Sequence, residues 1–211
     1  KTSTKEALAH VLAREGRTHA PPKSFNNHIG VPLTLSRMPA ASQFAVFEIR
    51  MNHAGEITPL TRMVKPDIAV ITNIEPVHIE NLGSIEAIAD AKAEIFAAAE
   101  PGGAAVLPRD SRFHDRLARA ARAAGIETVV SFGAHEEADV QLLRLVLSAN
   151  CSTISARVLG TEVTYKLGSP GRHLAMNSLA VLAAAKLAGA DLAVSALALA
   201  EMRAVSGRGE R

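Results

Sequence analysis

A lysine and a threonine stand together at the opening of a helical stretch, where Lys1-Thr2-Ser3-Thr4 runs directly into Lys5 to Glu15. In a phosphate-binding loop such a lysine reaches the outer phosphates, and the hydroxyl that follows it holds magnesium. The same residues also fit an ordinary helix start capped by Thr2 or Ser3. A complete loop carries a strand and a glycine-rich turn ahead of the lysine, so the sequence is expected to begin inside its own nucleotide site. Glu48 is a second group suited to a hard cation. It closes the apolar run Phe44-Ala45-Val46-Phe47, and a carboxylate ending a buried parallel strand sits where open α/β sheets place their ligands. The alternative for Glu48 is a salt-bridged edge residue. Lys92 lies between Ala91 and Ala93, one turn before Ile95 and Phe96. A lysine at such an apolar boundary ordinarily snorkels to water. Asn26 and Asn27, in the polar loop before Gly30 and Pro32, read first as turn residues.

These groups need elements to hold them. Ala7, Leu8, Val11 and Leu12 recur at helical spacing over Lys5 to Glu15, and Gly16 follows as a stop. Arg17 to Ala20 is a candidate short strand. Phe44 to Ile49 and Asp67 to Asn73 read as buried strands. A turn is expected before the apolar segment Leu33 to Met38, and a helix running through Val64 after Asn52-His53-Ala54-Gly55-Glu56-Ile57. Ser84 to Glu100 is the longest helical pattern, with Ser84 as its cap. A strand over Ala104 to Leu107, a helix over Asp110 to Ala124 and a strand over Glu127 to Phe132 continue the alternation. This pattern predicts a mainly parallel, doubly wound, P-loop-like α/β sheet flanked by helices. From about residue 138 to 168 the pattern switches to polar and apolar alternation, which predicts a small antiparallel β appendage. Helices over Ala175 to Ala188 and Leu192 to Met202 follow, and residues 204–211 read as a linker.

Composition narrows the function. Hydrophobic residues are 48% and charged residues 21% of the 211, a globular profile. Aromatics are 3%, with Tyr165 the single tyrosine and no tryptophan, which argues against stacking platforms for nucleic acid. The formal net charge of +2 is too small to argue for a polyanion partner. One cysteine, Cys151, excludes an intrachain disulfide and suits a reducing cytoplasm. No apolar run reaches bilayer-spanning length, so membrane insertion is not expected.

Taken in order, Lys1-Thr2, Asn26-Asn27 with Gly30 and Pro32, and Phe47-Glu48-Ile49 followed by Asn52 to Ile57 resemble the Mur ligases. Glu75-Pro76-Val77-His78, Ala91-Lys92-Ala93-Glu94-Ile95-Phe96, Pro170-Gly171-Arg172-His173, Asn177 and Gly207-Arg208 continue the series. The resemblance covers nearly the whole chain and is to the central ATP-binding domain, here residues 1–203. The amino-terminal and carboxyl-terminal domains of such enzymes are expected to lie outside this sequence. The Asn-His-Ala-Gly-Glu-Ile and Lys-Ala-Glu-Ile-Phe stretches are most similar to the branch that adds D-alanyl-D-alanine to UDP-N-acetylmuramoyl-tripeptide, using ATP and Mg2+, in peptidoglycan synthesis. That resemblance implies an acyl-phosphate mechanism, in which cations must gather where negative charge accumulates.

It also implies roles. Lys1 contacts the β- and γ-phosphates, Thr2 and Glu48 hold the first magnesium, and His78 helps to hold the second. Lys92 corresponds to a lysine that carbon dioxide converts to a carbamate supporting that second magnesium. Arg208 corresponds to an arginine reaching the γ-phosphate, and Asn177 to an adenine-contacting asparagine. Asn26, Asn27 and His53 fall on the substrate side. Three positions depart from the family pattern: Arg50 stands where glycine is usual, Leu174 replaces the first asparagine of the adenine motif, and Pro108 stands where asparagine is common. Two alternatives stay open at this point: a different Mur-type or folylpolyglutamate-synthase-like ligase, and a nucleotide-binding module that retains the fold without chemistry.

Overall fold

The computed structural model describes residues 1–76, 79–100 and 102–202. Its strands fall into two sheets. β1 (Thr18–His19) and β2 (Phe44–Ala45) form a short parallel pair. The larger sheet follows chain order: β3 (Ile68–Val70), β4 (Ala104–Pro108), β5 (Thr128–Gly133), β6 (Val140–Leu147), β7 (Ser152–Val158) and β8 (Thr161–Leu167). β3 to β6 pair in parallel and β6 to β8 antiparallel. The expected meander is therefore present. It is hydrogen-bonded onto the parallel strands through Phe132↔Val140 and Gly133↔Gln141.

The helices are α1 (Thr2–Leu12), α2 (Gly30–Ser36), α3 (Ile57–Val64), α4 (Ile79–Leu82), α5 (Ile85–Ala93), α6 (His114–Ala123), α7 (Arg172–Leu187) and α8 (Leu192–Glu201), with a 3₁₀ turn over Glu94–Phe96. They lie in two layers because alternate strand residues face opposite sides of the sheet. Val106 of β4 joins the core with Val11 and Leu12 of α1, Leu179 and Leu182 of α7, and Leu199 of α8. Ala105 and Leu107 face the other core, with Ile88 of α5, Phe96 and Leu117 of α6. Ala180, Ala183, Ala184 and Ala185 are all buried, so the small-residue faces of α7 bring it close against the sheet. Among the described residues no helix is long and apolar enough to cross a membrane.

Several elements differ from their predicted extents. The strands expected over residues 44–49 and 67–73 make regular pairing only at Phe44–Ala45 and Ile68–Val70. β2 pairs with the two-residue β1 and β3 with β4, and a cleft of about 700 Å³ lies along the other flank of each run. It separates the two sheets and is lined by Phe44, Val46 and Glu48 on one side and Ile68, Val70 and Thr72 on the other. Phe44 and Val46 donate their amides to Arg17 and His19 of the β1 side, so strand alternation turns the amides of Ala45 and Phe47 toward the cleft. Each run thus has a ladder partner on one flank only. The segment expected as a turn before Leu33 to Met38 is instead helical from Gly30. Pro32 is tolerated there because it falls in the first turn.

Ser84 behaves as expected. Its hydroxyl accepts the Ala87 amide at 3.1 Å, and α5 then tightens into the 3₁₀ turn that buries Phe96 instead of running to Glu100. Ser84→Ala is expected to cost about 1 kcal/mol of stability, read as a lower midpoint in urea with an unchanged slope.

Candidate nucleotide and metal site

α1 begins with Thr2 inside the helix and Lys1 at the N-cap, with no side-chain cap bond. The capping alternative for Thr2 or Ser3 is therefore corrected. Freed from capping, the Thr2 hydroxyl donates to Glu48 Oε1 at 3.3 Å and lies 3.2 Å from Ser24 Oγ. The α1 amino terminus supplies backbone amides that have no partner within the helix and the positive end of the helix dipole, the usual furniture of a phosphate site.

Glu48 is the centre of the arrangement. Only 7% exposed, it also accepts Asn26 Nδ2 on Oε1 at 2.9 Å. Its other oxygen, Oε2, is buried and has no hydrogen-bond partner among the described residues. A buried carboxylate oxygen left unsatisfied is costly unless a cation or donor meets it. The donor set, one hydroxyl and one carboxylate beside a phosphate-binding helix end, suits magnesium, which takes few protein oxygens and completes its shell with water and phosphate. The residues present therefore fit the ion. Among the described residues no three His, Cys, Asp or Glu side chains converge into a metal-holding group.

Lys1 stands beside Glu48. Desolvation holds its ammonium below the ordinary lysine value, attraction to Glu48 opposes this, and repulsion from Arg50 adds to it. Arg50 thus lies within electrostatic reach of Lys1, and its amide donates to Asn26 O at 2.8 Å. Lys92 belongs to the same electrostatic group. It is half-buried on α5 and donates to Asn73 O at 2.7 Å. Burial, reinforced by the charge of Lys1 and opposed by Glu75, pushes its ammonium down to about 8. The snorkelling alternative is corrected accordingly: the head group turns to a backbone carbonyl.

The Asn pair divides. Asn26 holds Glu48, whereas Asn27 Oδ1 accepts the amides of Ile29 and Gly30 at 3.2 and 2.9 Å and closes the turn that leads into α2. The turn reading holds for Asn27 alone. Gly30 is required beneath it, because a Cβ there would come within 2.5 Å of the Phe25 backbone. His53 sits on an exposed loop with Nδ1 3.2 Å from Glu56 Oε1. Asn177 is half-buried near the start of α7. His78, Arg208 and the expected linker over 204–211 lie outside the described residues.

Sequence reasoning missed Ser24, Asn73 and Glu94. Ser24 precedes Phe25-Asn26-Asn27 in the same polar loop, a weak signal. Asn73 contributes a backbone carbonyl, which no residue type announces. Glu94 was visible inside the Lys-Ala-Glu-Ile-Phe stretch without an assigned role. Its carboxylate reaches across to Gly55, Ile57 and Thr58.

Comparison with known proteins gives a consistent result. The Mur ligase middle domain family matches residues 1–185. UDP-N-acetylmuramoyl-tripeptide--D-alanyl-D-alanine ligase of Rickettsia prowazekii is 31% identical over 210 residues, covering 100% of this chain and 47% of that protein. The Bacillus subtilis enzyme of the same name is 36% identical over 184 residues, 87% of this chain and 38% of its own length. Among solved structures, MurF from Acinetobacter baumannii superposes with a TM-score of 0.92 at 30% identity, covering 98% of this chain and 45% of that one. The chain thus spans about half the length or less of the relatives it matches. With a phosphate-type helix start, a cation-ready carboxylate and this extended similarity, the chain belongs to the Mur ligase family, its residues 1–185 matching the middle domain.

Proposed function

We propose that this chain is the ATP-binding domain of a cytoplasmic ligase that joins UDP-N-acetylmuramoyl-tripeptide to D-alanyl-D-alanine in peptidoglycan precursor synthesis. The observation that carries the proposal is the buried Glu48 carboxylate. Thr2 and Asn26 fix one of its oxygens, and the other has no hydrogen-bond partner among the described residues.

Lys1 and the first amides of α1 hold the β- and γ-phosphates and offset their charge. Thr2 and Glu48 hold magnesium, which when bound neutralises charge on the phosphate oxygens. Asn26 fixes the orientation of Glu48. A tripeptide carboxylate oxygen attacks the γ-phosphorus as the bond to ADP breaks. The dipeptide amine then attacks the acyl carbon, loses a proton and expels phosphate. Arg208 steadies the γ-phosphoryl group during transfer, Asn177 contacts adenine, and Asn27 and His53 border the peptide substrate.

Lys92 acts after reaction with carbon dioxide. Its neutral Nζ forms a bond to the carbon and releases one proton to water, leaving an anionic carbamate. With His78, that carbamate holds a second magnesium. A nitrogen whose ammonium is pushed down to about 8 is neutral often enough near neutral pH to react, unlike an ordinary lysine.

The test uses the full-length protein with ATP and both substrates, following ADP and the pentapeptide mass. Equal production of the two supports the proposal. Ligation only with other acceptors points to a different amide ligase, and ATP binding without ligation overturns the assignment. Run alongside, the 211-residue chain alone is expected to turn over at least about tenfold more slowly, because closure and remote binding contacts orient the reactants.

A further inference from the structure

α3 has no side-chain cap of its own. Its N-cap residue, Glu56, turns its carboxylate backward instead, accepting the amides of Asn52 and His53 at 2.6 and 3.2 Å. Those bonds to Asn52 lead, with opposition from desolvation and help from His53, to a Glu56 carboxyl held below its ordinary value. The loop over residues 52–56 is thereby closed on itself. The capping is supplied from another element: Glu94, in the 3₁₀ turn after α5. Its Oε1 accepts the Gly55 amide at 2.6 Å, and its Oε2 accepts the Ile57 and Thr58 amides, each at 3.1 Å, and the Thr58 hydroxyl at 3.2 Å. Gly55 takes φ +85, a backbone conformation that side-chain-bearing residues rarely adopt.

One carboxylate therefore collects four donors, one from Gly55 in the loop and three from Ile57 and Thr58 in the first turn of α3, 36 to 39 residues away in sequence. Hydrogen bonds to a charged acceptor are the stronger kind, and a negative charge at a helix amino terminus adds dipole stabilisation. What Glu94 joins is significant. Two residues before it stands Lys92, anchored to Asn73 O. The loop it grips carries His53 and follows Glu48 directly in the chain, through Ile49 to Met51, and Met51 is buried.

We propose that Glu94 is a positioning residue: it locks the 52–56 loop to the helix bearing Lys92, so that the peptide-side loop and the Lys92 side of the site hold one geometry. The proposal rests on the ligase reading above, and loop position is where it acts. Truncating the clamp leaves Lys1, Thr2 and Glu48 untouched, so the loss falls on engagement of the nucleotide-peptide substrate more than on phosphoryl transfer.

The experiment compares Glu94→Gln and Glu94→Asp with wild type in the full-length enzyme. Gln keeps one accepting oxygen and turns an NH2 group toward amide donors. Asp keeps the charge but is one methylene shorter. Hydrogen exchange at Gly55, Ile57 and Thr58 is expected to accelerate about tenfold or more in Glu94→Gln. KM for UDP-N-acetylmuramoyl-tripeptide should rise about five- to tenfold, with kcat and KM for ATP within about twofold. Glu94→Asp should fall between Gln and wild type in both readouts. Unchanged exchange at the three amides overturns the clamp. Faster exchange with an unchanged substrate KM reduces Glu94 to a helix cap and overturns the positioning role. If wild type itself forms no pentapeptide, the ligase reading fails, while the exchange measurement still decides whether Glu94 holds the loop.

Discussion

Glu48→Gln in the full-length ligase is expected to lower kcat by roughly 100- to 1,000-fold, the usual scale for removing one preorganised electrostatic group. The fold should survive. Gln can still accept from Thr2 and Asn26 through its remaining oxygen, and the substitution removes a buried charge whose Oε2 has no hydrogen-bond partner among the described residues. Without magnesium the variant should therefore be at least as stable as wild type, because an unmet buried charge is a cost. The informative measurement is thermal unfolding against magnesium concentration in the presence of ADP. Wild type should gain stability as the ion binds the folded state, and Glu48→Gln should gain much less. A variant that unfolds readily while its folded fraction keeps full specific activity would return Glu48 to a structural edge carboxylate. Equal magnesium stabilisation of both proteins would also remove it from the metal site.

Lys92→Ala is expected to reduce activity by a comparable roughly 100- to 1,000-fold, through loss of the carbamate. The ammonium is the wrong charge beside magnesium, whereas the carbamate supplies an anionic oxygen pair. A short carboxylic acid in the buffer, such as formate or acetate, should restore part of the activity of Lys92→Ala by filling the vacated space with negative charge. The pH dependence has a definite sign. With the ammonium at about 8, about a quarter of the side chains are neutral at pH 7.5, against about one in a thousand for an ordinary lysine. At constant dissolved carbon dioxide, carbamate and activity should rise from about pH 7 to 9 and fall on the acid side. Depleting carbon dioxide should lower wild-type activity and leave Lys92→Ala unchanged. A labelled-carbon NMR signal for the carbamate should appear in wild type only. If Lys92 merely anchors Asn73 O, the alanine variant loses stability, added acid restores nothing, and the carbamate signal is absent from both proteins.

Arg50 bears on both experiments. Its positive charge adds to the desolvation that holds Lys1 below the ordinary lysine value, against the attraction of Glu48.

Much of the fold was legible because local patterns and tertiary context agree. The helical spacing of Ala7, Leu8, Val11 and Leu12, the Ser84 cap and the alternation along β6 to β8 each specify an element whose buried face is set by the chain's own periodicity. Lys1, Thr2, Glu48 and Lys92 were likewise visible, because a hydroxyl, a carboxylate and boundary lysines are conspicuous beside apolar runs. Other features depend on partners far away in sequence. Residues 44–49 and 67–73 look alike as buried strands, yet the regular pairing of each is set by the neighbouring strand it meets, β1 for the first and β4 for the second, and not by the run itself. Nothing local distinguishes Asn26 from Asn27; their division follows from Glu48 lying 22 residues ahead of Asn26, while the amides of Ile29 and Gly30 lie beside Asn27. The proton affinity of Lys92 follows from burial and from Lys1, brought close only by folding. Glu94 carries the same lesson: a glutamate at a helix end is ordinary in sequence. Its four donors from residues 55, 57 and 58 exist only once α3 packs against the 3₁₀ turn that follows α5, because hydrogen-bond geometry is a property of distance and direction rather than of residue type.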